Sequence, residues 1–350
     1  MNAISIADRR IGPDAPVYII AELSANHGQN FDEAMRLVDA AHAAGADAVK
    51  LQTYTADTLT LACDRPEFLI GKGTIWEGRT LHDLYQEAYT PWEWQPKLKE
   101  RAEQLGLQCF SSPFDPTAVE FLEKMHVPAY KIASFELVDL PLIERCAATG
   151  KPLIMSTGMA TREEIGEALA VARRAGAASI ALLKCTSGYP APAEEMNLST
   201  IPDMAREFDV PVGLSDHTLD VAVPIAAVAL GACIIEKHLT MRRADGGPDA
   251  AFSLEPGEFR TMVEQVRIAE RAVGRVTYEV SAKESASRVF RRSLFIVADV
   301  KAGEAFTAAN VRSIRPGNGL HTRHLTEILG RRAPRDIARG TPLSWELIGQ

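Results

Sequence analysis

The chain has 350 residues, 46% of them hydrophobic and 24% charged, with a formal net charge of −8. No run approaches the roughly 18 apolar residues of a membrane span, and an acidic chain lacks the basic footprint of a nucleic-acid binder, so neither a membrane nor a nucleic-acid partner is expected. Five cysteines, Cys63, Cys109, Cys146, Cys185 and Cys233, lie far apart with no CxxC spacing, which argues against a disulfide scaffold or zinc knuckle and fits a reducing cytoplasm.

In chain order, a short apolar run ending in polar residues recurs eight times, at 17–22, 48–52, 108–111, 129–133, 152–156, 180–184, 211–215 and 233–237. Short runs rich in Val, Ile and Leu are what strands buried on both faces of a parallel sheet look like. Between them the apolar spacing predicts helices over 31–44, 117–124, 162–175 and 218–230, three of them closed by Gly45, Gly176 and Gly231, the residue that most often stops a helix. Segment 54–96, with Trp76, Trp92 and Trp94, reads as an enlarged loop with helical parts. Its tryptophans either pack that loop or give a site an apolar wall. Eight alternating β and α units predict a (β/α)₈ barrel over residues 1–280. A polar linker, 281–290, and a small β-rich domain, 291–350, complete the expected organisation. The last segment is rich in Arg, and strand-like runs are expected at 293–298 and 311–315.

In such barrels the active site is built at the C-terminal strand ends. Those ends carry Glu22; Lys50 and Gln52; Ser111 and Ser112; Lys131, Ser134 and Glu136; Ser156 and Thr157; Lys184, Thr186, Ser187 and Tyr189; Ser215, Asp216 and His217; and Glu236, Lys237 and His238. Lysines and hydroxyls gathered at one mouth suit a phosphate or carboxylate, whose oxygens only accept. Two imidazoles on adjacent strands suit a divalent metal with positions left open. Taken singly, each has a plainer reading: a strand-end Lys is usually solvated or ion-paired, and a Ser after a strand often caps the next helix. Lys184 and Lys237 are the weakest candidates, because alternation turns Lys237 away from Glu236 and His238.

Several motifs together resemble the sialic acid synthase family. They are Glu22-Leu23-Ser24-Ala25-Asn26-His27, Val49-Lys50-Leu51-Gln52, Ser111-Ser112-Pro113-Phe114-Asp115, Lys131-Ile132-Ala133-Ser134, Ser156-Thr157-Gly158, Ser215-Asp216-His217 and Glu236-Lys237-His238. Arg315-Pro316-Gly317-Asn318-Gly319 is similar to the antifreeze-like SAF domain that follows the barrel in that family. The wording around Gln52-Thr53-Tyr54-Thr55 and Ser134-Phe135-Glu136 is similar to the branch that makes pseudaminic acid, and Ser187 stands where the neuraminate branch usually has Asn.

The resemblance implies condensation of phosphoenolpyruvate with 2,4-diacetamido-2,4,6-trideoxy-L-altrose, or with N-acetylmannosamine or a legionaminic acid precursor in related enzymes. It implies Lys50, Ser112, Lys131, Ser134, Ser156, Ser187 and Ser215 on phosphoenolpyruvate, and Gln52, Glu136, Tyr189, Asp249 and Arg315 on the sugar. Glu22 would act in catalysis beside His217 and His238, which would bind Mn²⁺, Mg²⁺ or Co²⁺. It also implies a domain-swapped homodimer. Another metal-dependent barrel enzyme and a non-catalytic carbohydrate-binding protein are the rival classes.

Overall fold

Eight largely buried strands pair in parallel and close on themselves in the computed structural model, which describes residues 3–349. An antiparallel hairpin, β1 (Ile4–Ile6) and β2 (Arg9–Ile11), comes first. The barrel strands are β3 (Tyr18–Glu22), β4 (Ala48–Thr53), β5 (Gln108–Pro113), β6 (Tyr130–Ile132), β7 (Leu153–Ser156), β8 (Ile180–Cys185), β9 (Val212–Asp216) and β10 (Ile234–His238). Each of the eight runs read from the sequence becomes one strand. Their spatial order is the chain order, and β10 pairs with β3 to close the barrel. The hairpin was not expected; its buried isoleucines join the barrel core, and Arg9 pairs with Asp47 at the start of β4, 3.2 Å away.

The helices begin where side chains can satisfy free backbone N–H groups. In α1 (Phe31–Ala43) Asn30 accepts from the N–H groups of Asp32 and Glu33, and Gly45, at φ +87°, ends the helix. The segment after β4 folds as α2 (Ala56–Leu59), α3 (Leu81–Ala88) and α4 (Gln95–Gln104). Asp115 caps α5 (Pro116–Lys124) and Asp139 caps α6 (Leu140–Ala147). Thr161 and Glu164 form a reciprocal capping box on α7 (Arg162–Arg174), and α8 (Thr200–Phe208) follows β8. The helix expected from residue 218 starts later, as α9 (Ala222–Ala229). Thr218 is held by Asp216 and Lys237, and Asp220 accepts from the Ala222 N–H at 2.8 Å instead. The last barrel helix is α10 (Pro256–Val273).

The chain divides into two compact units, one ending at Gly274 and one beginning at Arg275. The second contains α11 (Ala282–Ser287), the antiparallel pair β11 (Ser293–Ile296) and β12 (Val311–Ile314), and α12 (Leu325–Ile328). Its own core gathers Leu294, Ile296, Val300, Phe306 and Val311. Among the described residues no helix is long and apolar enough to cross a membrane.

Candidate active site

Two lysines and two glutamates alternate inside the barrel. Glu22 of β3 pairs directly with Lys50, its register neighbour on β4. Lys50 lies 3.9 Å from Glu236 of β10, and Lys131 of β6 donates to the same carboxylate at 2.9 Å. The Ser215 hydroxyl donates to Glu236 at 3.1 Å, and Lys50 reaches Ser112 at 3.3 Å. All four charged groups are buried. Burial pushes the Glu22 carboxyl up to about 7, against the pull of Lys50. Burial also draws the Lys131 ammonium down from the ordinary lysine value. For Lys50 burial acts in the same direction, but Glu22 and Glu236 outweigh it and its pKa ends raised. Glu236 ends below the ordinary carboxylate value, because Lys131 and Lys50 outweigh its burial. Two lysine side chains beside a carboxyl that burial pushes toward its neutral form suit an anion.

Beside this cluster lies a hydroxyl cradle. The Gly158 N–H donates to Ser134 Oγ at 3.1 Å. A Cβ at residue 158 would collide with Ser187 Oγ and stand 2.7 Å from Ser134 Oγ, so only glycine leaves the cradle open. Ser156 Oγ is buried there with no hydrogen-bond partner among the described residues.

His217 and His238 complete the polar half. Their ring centroids are 5.3 Å apart. His217 Nδ1 donates to the Thr186 carbonyl oxygen at 3.1 Å, which leaves Nε2 to bind a metal when the ring is neutral. Burial pulls the pKa of this ring down, but Cys185 and the Thr186 carbonyl outweigh burial and raise it. Burial, reinforced by His217, holds His238 well below the ordinary histidine value, so it is neutral. Its Nδ1 is buried without a partner among the described residues. An orphaned nitrogen on a neutral imidazole facing a second imidazole fits a divalent ion. These two imidazoles would supply two ligands and leave the remaining positions to substrate and water. Cys185 Sγ lies 3.9 Å from His217 Nδ1; burial raises that thiol, but His217 outweighs burial and brings it to about 7.

Much of the remaining lining is apolar. Tyr54, Leu59, Ile70, Trp76, Leu84 and Phe252 are among the residues enclosing a cavity of about 360 Å³ together with the polar half. Trp76 is fixed by its Nε1 donating to the Pro248 carbonyl at 2.8 Å, and Tyr189 stacks on His217 at 4.5 Å. Glu136 faces this space with its carboxyl pushed by burial to about 7, and burial likewise raises Asp249, which accepts from the Ser24 hydroxyl.

Lys50, Gln52, Lys131, Ser134, Glu136, Ser156, Tyr189, Ser215, His217, His238 and Asp249 therefore all line one cavity. Glu22, Ser112 and Ser187 touch its lining from behind, through Lys50 and Cys185. Arg315 is exposed in the second unit, just past β12. Lys184 donates to the Cys185 carbonyl at 2.9 Å, and Lys237 is locked onto Asp216; neither lines the cavity. Of the three tryptophans only Trp76 reaches it: Trp92 packs on Phe121 and Trp94 on His27 and Phe31. Sequence reasoning missed Cys185, Tyr54 and Phe252. Cys185 was discoverable as the last residue of β8; Phe252 sits in a 3₁₀ turn, Ala250–Phe252, that carries no periodic signal.

The sequence profile of the NeuB family matches residues 37–278, and that of the SAF domain matches 291–348. The pseudaminic acid synthase of Campylobacter jejuni subsp. jejuni is 45% identical over 330 residues, 94% of this chain and 96% of that one. The N,N'-diacetyllegionaminic acid synthase of Legionella pneumophila is 36% identical, covering 96% of each chain. Among solved structures, the N-acetylneuraminic acid synthetase of Leptospira borgpetersenii, in complex with citrate, superposes with a TM-score of 0.73 at 31% identity, over 82% of this chain and 95% of that one.

Proposed function

The chain belongs to the NeuB family, and from that membership we propose that it condenses phosphoenolpyruvate with 2,4-diacetamido-2,4,6-trideoxy-L-altrose and water to give pseudaminic acid and phosphate. The observation that carries this reading is the convergence of unsatisfied groups on one cavity. Ser156 Oγ, Glu136 Oε2, Glu236 Oε2 and His238 Nδ1 are all buried, unpartnered among the described residues, and placed around the same space. Buried polar atoms left without partners mark where a ligand supplies them. The likeness to pseudaminic acid synthases at 45% identity points to the sugar. The apolar wall beside Trp76 suits its 6-deoxy methyl and acetamido methyl groups, since a fully hydroxylated sugar would leave hydroxyls unpaired there.

In this reading Lys50, Ser112, Lys131, Ser134, Ser156, Ser187 and Ser215 grip the phosphate and carboxylate of phosphoenolpyruvate. Gln52, Glu136, Tyr189 and Asp249 orient the open-chain sugar. His217 and His238 would hold a divalent ion (Mn²⁺, Mg²⁺ or Co²⁺), which when bound would supply Lewis acidity toward the aldehyde oxygen. The methylene carbon of phosphoenolpyruvate attacks the aldehyde carbon; the aldehyde oxygen takes the carbonyl electron pair and a proton from solvent to become a hydroxyl, and C2 of phosphoenolpyruvate becomes an oxocarbenium centre. Water adds to C2, and phosphate leaves with cleavage of the C–O bond. Glu22, poised near 7, accepts the proton of that water, since a base works best with its pKa near the working pH. The same proposal includes a domain-swapped homodimer in which Arg315 donates to the sugar held by another copy. It also includes a cytoplasmic setting, which the five free cysteines support.

Incubating the enzyme with phosphoenolpyruvate, Mn²⁺ and each of three sugars (the trideoxy-altrose, the legionaminic acid precursor and N-acetylmannosamine) tests the assignment by phosphate release and product mass. The fastest release is expected with the altrose derivative. Faster turnover of either other sugar reassigns the substrate; no sugar-dependent phosphate with any of the three sinks the synthase reading.

A further inference from the structure

The two imidazoles are joined from behind. Alternation along β10 turns Glu236 and His238 toward the cavity and Lys237 away from it, and Lys237 lies in register with Asp216 of β9. Their side chains meet at 2.6 Å with both groups at 0% exposure, a degree of burial that no other ion pair among the described residues reaches on both sides. Asp216 also holds the turn that carries His217: Oδ1 accepts the Thr218 N–H at 2.9 Å and Oδ2 the Thr218 hydroxyl at 3.2 Å. Lys237 Nζ donates in addition to the Thr218 carbonyl oxygen. The segment Asp216-His217-Thr218 is thus fastened on both sides of its histidine, and one of its fasteners is an ammonium on the strand that bears His238. Asp216, Thr218 and Lys237 do not line the cavity.

A buried ion pair adds little net stability, because desolvation offsets most of the attraction and an apolar pair of similar size does as well. What it does impose is a fixed geometry. We propose that Asp216, Lys237 and Thr218 form a positioning clamp that sets the separation of the His217 and His238 rings, and thereby the affinity of the site for a divalent cation. The clamp rests on the reading of those two histidines as metal ligands. Residues behind a metal's direct ligands change metal affinity by about 10–100-fold when altered, and the clamp is such a set: it touches no substrate and acts only through the imidazoles.

The test is titration of the metal-stripped full-length chain with Mn²⁺, following the electron paramagnetic resonance signal of the free ion. Asp216→Leu with Lys237→Met replaces the pair by apolar side chains and leaves no lone buried charge. This double variant is expected to bind Mn²⁺ about 10–100-fold more weakly, with thermal melting and metal-free phosphoenolpyruvate binding as in the wild type. Wild-type Mn²⁺ affinity in the double variant overturns the clamp. If the double variant melts early, Thr218→Val decides, because it removes one hydroxyl and no charge. Weaker Mn²⁺ binding at unchanged melting then supports the clamp, and unchanged affinity overturns it. A wild-type chain that takes up no Mn²⁺, or a His238→Ala chain that takes it up normally, instead overturns the ligand reading underneath.

Discussion

Glu136 enters the cavity from the 3₁₀ turn Ser134–Glu136 with Oε2 buried and unpartnered among the described residues. Burial raises its carboxyl from 4.5 to about 7. The folded state therefore holds this proton more tightly than the unfolded state does between those two values. The stability linked to Glu136 is complete below pH 4.5 and lost as pH rises to about 7. At 1.36 kcal/mol per unit, the ionised group costs about 3 kcal/mol in the ligand-free protein. Glu136→Gln, uncharged at every pH, should melt like the wild type near pH 4.5 and clearly later at pH 8, in thermal scans across that range. A melting difference that stays constant with pH refutes the assignment.

At the scale of elements, strands were the most legible part. Both faces of the barrel strands are largely buried, so most appear as short apolar runs with polar residues toward the mouth, although Lys50 and Lys131 interrupt β4 and β6. Helix starts were less legible, because a capping side chain can be claimed by a tertiary partner. Thr218 bonds to Asp216 and Lys237, and α9 begins four residues further on. Strand β9 also carries a packing constraint that no local pattern reveals. A Cβ at Gly213 would collide with the Ile234 carbonyl oxygen and lie 2.6 Å from Ile234 Cβ and 2.8 Å from Leu183 Cδ2. Gly213→Ala must push apart the strands that hold His217 and His238. Overpacking of this kind costs about 1–3 kcal/mol, so the variant should melt measurably earlier; an unchanged melting temperature would show that the barrel wall gives way freely.

For the whole molecule, the two units have separate hydrophobic cores that share no residue. A chain ending at Val280 retains the entire barrel core and is expected to stay folded, with the barrel's melting transition intact. Its synthase activity should fall by about 100-fold or more, the scale on which misplaced substrate groups lose rate, because Arg315 goes with the removed domain. Full activity in that shortened chain, measured by phosphate release, would eliminate any role for the SAF domain in closing the site.

By itself the sequence determined the class of fold, the positions of the eight strands and most of the polar groups at their ends. Buried β-strands and glycine-stopped helices are local patterns, and a barrel places every strand end at one rim. Closure of the barrel decided the rest. It brought Glu22, Lys50, Glu236 and Lys131, drawn from four strands, into one alternating chain of charge. It gave Lys237 the partner Asp216, and it set Phe252 against the histidines and Trp76 against Tyr189 and Phe252 while leaving Trp92 and Trp94 as packing. Whether a lysine ends as an anion ligand or as a strut depends on which residues far along the chain lie within a few ångströms of it. Alternation along a single strand records which way the side chain points, but not which residue it meets.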